Sequence, residues 1–213
     1  MIQRVYEQAM QAKGLTEVIV ATDDQRIFQT VEGFGGKALM TRTEHPTGTD
    51  RLLEVVGKFP DFDAYVNVQG DEPLIDPQQI DALCALMFRQ SGAFVGTLIK
   101  KLDLDRELQN PNVIKVVKEQ AGKAIYFSRL PIPYAEHGYW KHIGMYGYSR
   151  EAISRIKTMP PGRLEKAESL EQLRWMEQGL PIWTEETEIE TKGVDAPEDL
   201  EEVLALLKAA AED

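Results

Sequence analysis

Carboxylates set directly after apolar runs are the groups in this chain best suited to chemistry. Residues 65–75 read YVNVQGDEPLI, an apolar run that ends in Gly70, Asp71, Glu72 and Pro73. Asp23 and Asp24 close a second run, EVIVATDD, in the same way, and Asp195 stands in TKGVDAPEDL just before a helix start. Two carboxylates distant in sequence can converge on Mg²⁺, which takes a few oxygen ligands together with substrate phosphates. Each also has a plainer reading, Asp195 as a helix N-cap and Asp71 as a turn residue between a glycine and a proline.

Other polar groups are candidates of a second kind. TRTEHPTGTDR carries hydroxyls and two arginines, Arg42 and Arg51. Its Gly48 and Thr49 can let backbone N–H groups approach a ligand ahead of a helix, or can simply belong to a solvated loop. His142 lies in KHIGMYGY, a strand setting in which a lone histidine is more often structural. Glu168, Glu171 and Gln172 share helical spacing in RLEKAESLEQLRWMEQG and project from one face, either a binding face or an exposed acidic one. Arg129 closes KAIYFSR and can pair with any carboxylate, while Trp175 and Met176 read as core. Zinc-type Cys/His clusters, a nucleophile elbow and a Walker lysine loop are all missing from the sequence.

The elements that must hold these groups follow from periodicity. IQRVYEQAM predicts a helix, 17–24 a strand, 25–33 a helix and 36–41 a strand; LLEVVGKF predicts a helix and DAYVNVQG a strand. Asp76 and Pro77 then open a helix as N-cap and first residue. Strands follow at 93–102, 112–119, 123–129 and 142–149, the second and third paired through Gln120, Ala121 and Gly122. The end of the chain predicts one helix over 163–179 stopped by Gly179, a strand in LPIWTEE and a helix over 197–212. Strands alternating with helices predict an α/β fold, a parallel sheet with helices on both faces and a hairpin excursion in its middle. In such sheets ligands lie outside the carboxyl ends of strands, where Asp23, Asp24, Asp71 and Glu72 fall. Neither a repeat nor a linker marks a boundary, so residues 1–213 read as one domain.

A formal net charge of −11 argues against nucleic acid and anionic membranes as partners. An anionic substrate would therefore need a local basic pocket or a metal cation. The single cysteine, Cys84, cannot form an internal disulfide and sits at helical spacing among Ile80, Leu83 and Met87, as a core thiol does. With no apolar run of about 18 residues and no secretory leader, a cytoplasmic location is expected.

TRTEHPTGTDRL, YVNVQGDEPLI, NPNVIKVV, IYFSRLPIPY, HIGMYGY, SLEQLRWMEQG and GVDAPEDLE occur in the order found in the 3-deoxy-manno-octulosonate (Kdo) cytidylyltransferases. The chain resembles that family over nearly its whole length. The resemblance implies a Rossmann-like nucleotidyltransferase sheet whose β-hairpin serves dimerisation. It also implies a cytoplasmic, Mg²⁺-dependent homodimer that couples CTP and Kdo to give CMP-Kdo and pyrophosphate for lipopolysaccharide synthesis. By the same resemblance Asp71 and Asp195 are catalytic and hold the metal, and Thr49 and Arg51 lie near the cytidine. Arg129, His142, Tyr146, Glu171 and Gln172 match the sugar-binding side, with Arg129 toward the Kdo carboxylate and Glu171 and Gln172 toward its hydroxyls. Gln69 matches that side too and is counted with the nucleotide-binding residues.

Two departures accompany the match. Ala196 stands where the family has a capping Thr, removing an acceptor worth about 1 kcal/mol. Family members also open with a strand and a basic loop of the type IPARYxSTRLPGKPL that grips the triphosphate, and this sequence starts at the position matching the Met after that loop. The expectation is an N-terminally truncated member that binds CTP poorly and folds less well. Two rival readings are a sialate-type CMP-sugar synthetase and a catalytically silent, dimer-forming fragment.

Overall fold

Ile2–Ala9 forms the first helix, α1, because its apolar residues recur at helical spacing and bury Val5 and Ala9. The computed structural model describes residues 1–134, 138–190, 193–194 and 196–212. They fall into two compact units. The first gathers Met1–Pro60, Asn67–Asp81 and Ile189–Asp213; the second gathers Asp61–Val66 and Ala82–Glu188.

In the first unit β1 (Val20–Thr22) and β2 (Ala38–Met40) pair in parallel, joined through α2 (Gln25–Gly33). Asp24 caps α2, its carboxylate accepting from Arg26 N–H. The chain then enters α3 (Gly48–Lys58), which starts inside the predicted polar loop because the Thr47 hydroxyl accepts from Asp50 N–H. Asp76 Oδ1 accepts from Gln78 N–H at 2.7 Å, so α4 (Pro77–Arg89) begins where Asp76 and Pro77 predict. Val5, Ala9, Ala12, Val31, Ile75, Ile80 and Val203 form the buried apolar set of this unit among the described residues, the last from the C-terminal helix.

The second unit is built on six strands: β3 (Ala64–Asn67), β4 (Val95–Lys101), β5 (Lys115–Lys118), β6 (Ala124–Ser128), β7 (Trp140–Ser149) and β8 (Ile182–Glu186). Their order is β6-β5-β7-β4-β8, with β3 also paired to β7. Only β4 and β8 run parallel among the pairs with a defined register; β5 is antiparallel to β6 and β7, and β4 to β7. The expected parallel pairing holds for β1–β2 and β4–β8, and the expected hairpin in the middle is β5–β6, while β7 runs antiparallel to both β4 and β5. Helices do cover both faces. A Cβ at Gly96 or Gly147 would collide with Met87 of α4, while Tyr146 and Tyr148, on the opposite face, pack on Trp175 of a later helix.

The predicted helix over 163–179 is two helices, α7 (Arg163–Glu168) and α8 (Gln172–Glu177). Ser169 adopts a left-handed backbone, φ 53, and ends α7. Two further helices, α5 (Leu104–Glu107) and α6 (Arg150–Ile156), were not foreseen. Pro197–Glu212 forms α9 as predicted.

Candidate active site

The predicted site residues divide between the two units. In the first, Asp71 is half-buried in the turn after Gly70, and among the described residues its carboxylate makes no hydrogen bond or ion pair. Its main-chain carbonyl is engaged, accepting from Val194 N–H at 2.9 Å. That bond ties the GDEP turn to the GVD segment one residue before Asp195, which itself lies outside the described residues. Gln69 is exposed at the start of the same turn. Thr49 is buried in the first turn of α3. Arg51 bridges the loop to the end of β1, with Nη2 at 3.2 Å from Asp23 and Nη1 donating to Thr41 Oγ1. Arg42 is likewise paired, with Glu54 at 3.5 Å. Glu54 also meets His45 at 2.6 Å, and that contact chiefly holds its pKa down to about 2.

In the second unit the geometry depends on a β-bulge. Thr97 pairs with Tyr146 but Leu98 pairs with Ile143, so Gly144 and Met145 are extra residues on β7. Residues four apart on a regular strand are separated by about 13 Å. Here the rings of His142 and Tyr146 lie 5.1 Å apart, and Tyr146 in turn meets Trp175 edge-on at 5.2 Å. Phe127 closes the other side of His142 at 5.4 Å. His142 keeps a little surface in contact with solvent yet sits deep in this aromatic row, and burial lowers its pKa to about 4. Burial raises the Tyr146 phenol well above its usual value, reinforced by Tyr148 and Glu171. Both rings are therefore neutral at pH 7. The His142 Nδ1, the Tyr146 hydroxyl and the side-chain amide of Gln172, a residue 4% exposed, have no hydrogen-bond partner among the described residues. Such groups beside a solvent-reaching surface suit a polyol, which offers both donors and acceptors.

Arg129 is anchored by main-chain carbonyls. Nε donates to Glu168 O at 2.7 Å, Nη1 to Pro111 O at 2.9 Å and Nη2 to Ser169 O at 3.2 Å. Three of its five N–H groups are thus used, two remain, and no carboxylate neutralises it among the described residues. The break between α7 and α8 makes this possible, because it turns the carbonyls of residues 168 and 169 toward the guanidinium. It also corrects the one-face reading of Glu168, Glu171 and Gln172. Glu168 faces β6, accepting from Ser128 Oγ at 3.0 Å and Arg129 N–H at 2.9 Å, while Glu171 and Gln172 open the next helix.

Sequence reasoning passed over Thr97, Lys115 and Ser128. Thr97 is fully buried in the run FVGTLI, and a lone hydroxyl in an apolar strand signals an obligatory hydrogen bond. Lys115 is fully buried as well; its Nζ donates to Asn110 O at 2.6 Å and Arg129 O at 3.1 Å, and burial lowers its pKa.

A cytidylyltransferase family model matches residues 1–189. A 3-deoxy-manno-octulosonate cytidylyltransferase of Solibacter usitatus is 47% identical, over 99% of this chain and 85% of that protein. One from Escherichia coli is 46% identical, over 97% and 85%. A solved structure of CMP:2-keto-3-deoxy-manno-octonic acid synthetase complexed with CTP superposes with a TM-score of 0.93 at 45% identity, over 98% of this chain and 88% of that one. A glucose-1-phosphate thymidylyltransferase of Bacillus anthracis, at 18% identity and TM-score 0.66, shares the fold.

Proposed function

We infer the activity from a plain premise: this chain belongs to the cytidylyltransferase family. It is a nucleotidyltransferase that activates Kdo with CTP, giving CMP-Kdo and pyrophosphate. The observation that carries this is the near full-length likeness to a synthetase solved with CTP. The family match runs unbroken over residues 1–189, which supports our reading that the chain works as one nucleotidyltransferase domain.

We assign the metal to Asp71 and Asp195 and propose that it is Mg²⁺. The half-buried Asp71 carboxylate, without a partner among the described residues, fits a hard cation, and its turn is bonded to the segment that carries Asp195. When bound, the ion supplies charge neutralisation at the phosphate oxygens. Thr49, Arg51 and Gln69 are assigned to the nucleotide. Arg129, with two N–H groups and a full charge to spare, is assigned to the Kdo carboxylate. His142, Tyr146, Glu171 and Gln172 are assigned to the sugar hydroxyls. In the reaction the anomeric hydroxyl attacks the α-phosphorus of CTP and pyrophosphate leaves, a step whose barrier positioning lowers.

We further propose a cytoplasmic homodimer. Ile125 on the edge strand β6, Leu130 and Tyr134 are strongly exposed, which supports a self-association face there. Pyrophosphate release measured with CTP, Kdo and Mg²⁺, each omitted in turn, tests the activity. Release is expected only with all three, and release without Kdo or equal use of sialate would overturn the assignment.

A further inference from the structure

Thr97 Oγ1 lies 2.8 Å from Met145 O, 3.3 Å from Ile143 O and 2.9 Å from His142 Nε2. A hydroxyl has one proton, and the two carbonyls of the bulged stretch are acceptors only. A carbonyl oxygen at 2.8 Å without an intervening proton is repulsive, so the Thr97 proton belongs to the bulge carbonyls. His142 Nε2 must then be the donor to Thr97. Its Nδ1 is left as a bare lone pair, with no partner among the described residues. The rings of Phe127 and Tyr146 on either side hold the imidazole in this orientation.

We propose that Thr97 is a positioning residue which fixes the Nε2–H tautomer of His142, so that Nδ1 accepts a hydrogen from a hydroxyl of the sugar acid. The consequence is a division of labour. His142 offers an acceptor and no charge, so it selects for a hydroxyl and against a carboxylate at its position, leaving the carboxylate to Arg129. The same Thr97 hydroxyl closes the bulge that brings His142 and Tyr146 together, so one side chain sets both ring placement and proton placement. The proposal rests on the assignment of His142 to the sugar side.

The tautomer is read directly, without any substitution, from ¹⁵N shifts of the histidine-labelled chain at pH 7. A protonated Nε2 and a bare Nδ1 are expected for His142; the reverse tautomer would overturn the proposal. Thr97→Val should give a mixed tautomer and raise the KM for Kdo roughly tenfold, the cost of one hydrogen bond, with the KM for CTP unchanged. Thr97→Ser should restore both. If His142→Ala leaves the KM for Kdo unchanged, the sugar-side assignment itself is wrong. If His142→Ala raises it and a folded Thr97→Val does not, only the positioning role is lost. Kdo analogues lacking one hydroxyl each provide the last arm: one of them should bind the unsubstituted chain about tenfold worse and His142→Ala no worse than Kdo. If every analogue behaves alike in the two proteins, no hydroxyl meets Nδ1.

Discussion

Asp71 uses its main-chain carbonyl in the fold, and its carboxylate makes no hydrogen bond or ion pair among the described residues. Asp71→Asn keeps the shape and removes the charge, so turnover should fall by about two to three orders of magnitude, several kcal/mol of charge stabilisation. The melting temperature should stay within about 2 °C, because no carboxylate bond is lost. Excess Mg²⁺ that restored full activity would argue against a direct role. His142 makes a prediction of the opposite kind, on stability. Its pKa is lowered from 6.5 to about 4 by burial, so between those values the unfolded chain binds the proton and the folded one does not. The contribution of this residue to stability therefore falls as the pH drops from 6.5 toward 4, at no more than about 1.4 kcal/mol per pH unit. Denaturant midpoints across that window should show the slope, and His142→Gln should flatten it. An unchanged slope would mean the ring is solvated. Neither effect needs any knowledge of the fold beyond the immediate surroundings of one side chain.

At the scale of elements, two irregularities hold the residues we assign to the sugar: the bulge in β7 and the break between α7 and α8. Ser169 is the only non-glycine residue with positive φ among those described. A β-branched residue is strained there, so Ser169→Val should cost about 1–2 kcal/mol and lower the melting temperature by about 2–8 °C. It should also raise the KM for Kdo, because the carbonyls of residues 168 and 169 hold Arg129. Ser169→Gly, free to adopt the same backbone, should do neither. A Ser169→Val protein with normal Kdo kinetics would separate the break from the site. Neither irregularity was legible in the sequence. The period of RLEKAESLEQLRW continues through Ser169, and the partner of the carbonyls at the break, Arg129, lies some forty positions away. HIGMYGY keeps its alternation through the bulge, so nothing local marks Gly144 and Met145 as extra. What was legible had local causes: the extent of α2, the Asp76–Pro77 start of α4, and the β5–β6 hairpin turning at Gly122 with φ 96. The candidate residues were mostly visible by position, their roles came from resemblance, and their second-unit geometry came from packing that no motif encodes.

For the molecule as a whole the dominant fact is charge. A chain with formal net charge −11 has to take in two anionic substrates. The arginines of the loop near the nucleotide residues do not obviously help, since Arg51 is paired with Asp23 and Arg42 with Glu54. Arg129 differs in that its guanidinium donates to main-chain carbonyls and pairs with no carboxylate among the described residues. The two substrates should therefore respond to salt differently. Screening lengths shrink from about 20 Å at 20 mM salt to about 8 Å at 150 mM, which mutes the global field more than a contact a few ångströms away. For CTP the muted term is repulsion, so its KM should fall about two- to threefold over that range at saturating free Mg²⁺. For Kdo the same global repulsion is opposed by attraction to Arg129, so its KM should change less or rise. Steady-state kinetics at constant free Mg²⁺ decide the matter. A KM for CTP that climbs with salt would mean that a local positive field outweighs the net charge, and that Arg51 or Arg42 leaves its carboxylate when the nucleotide arrives.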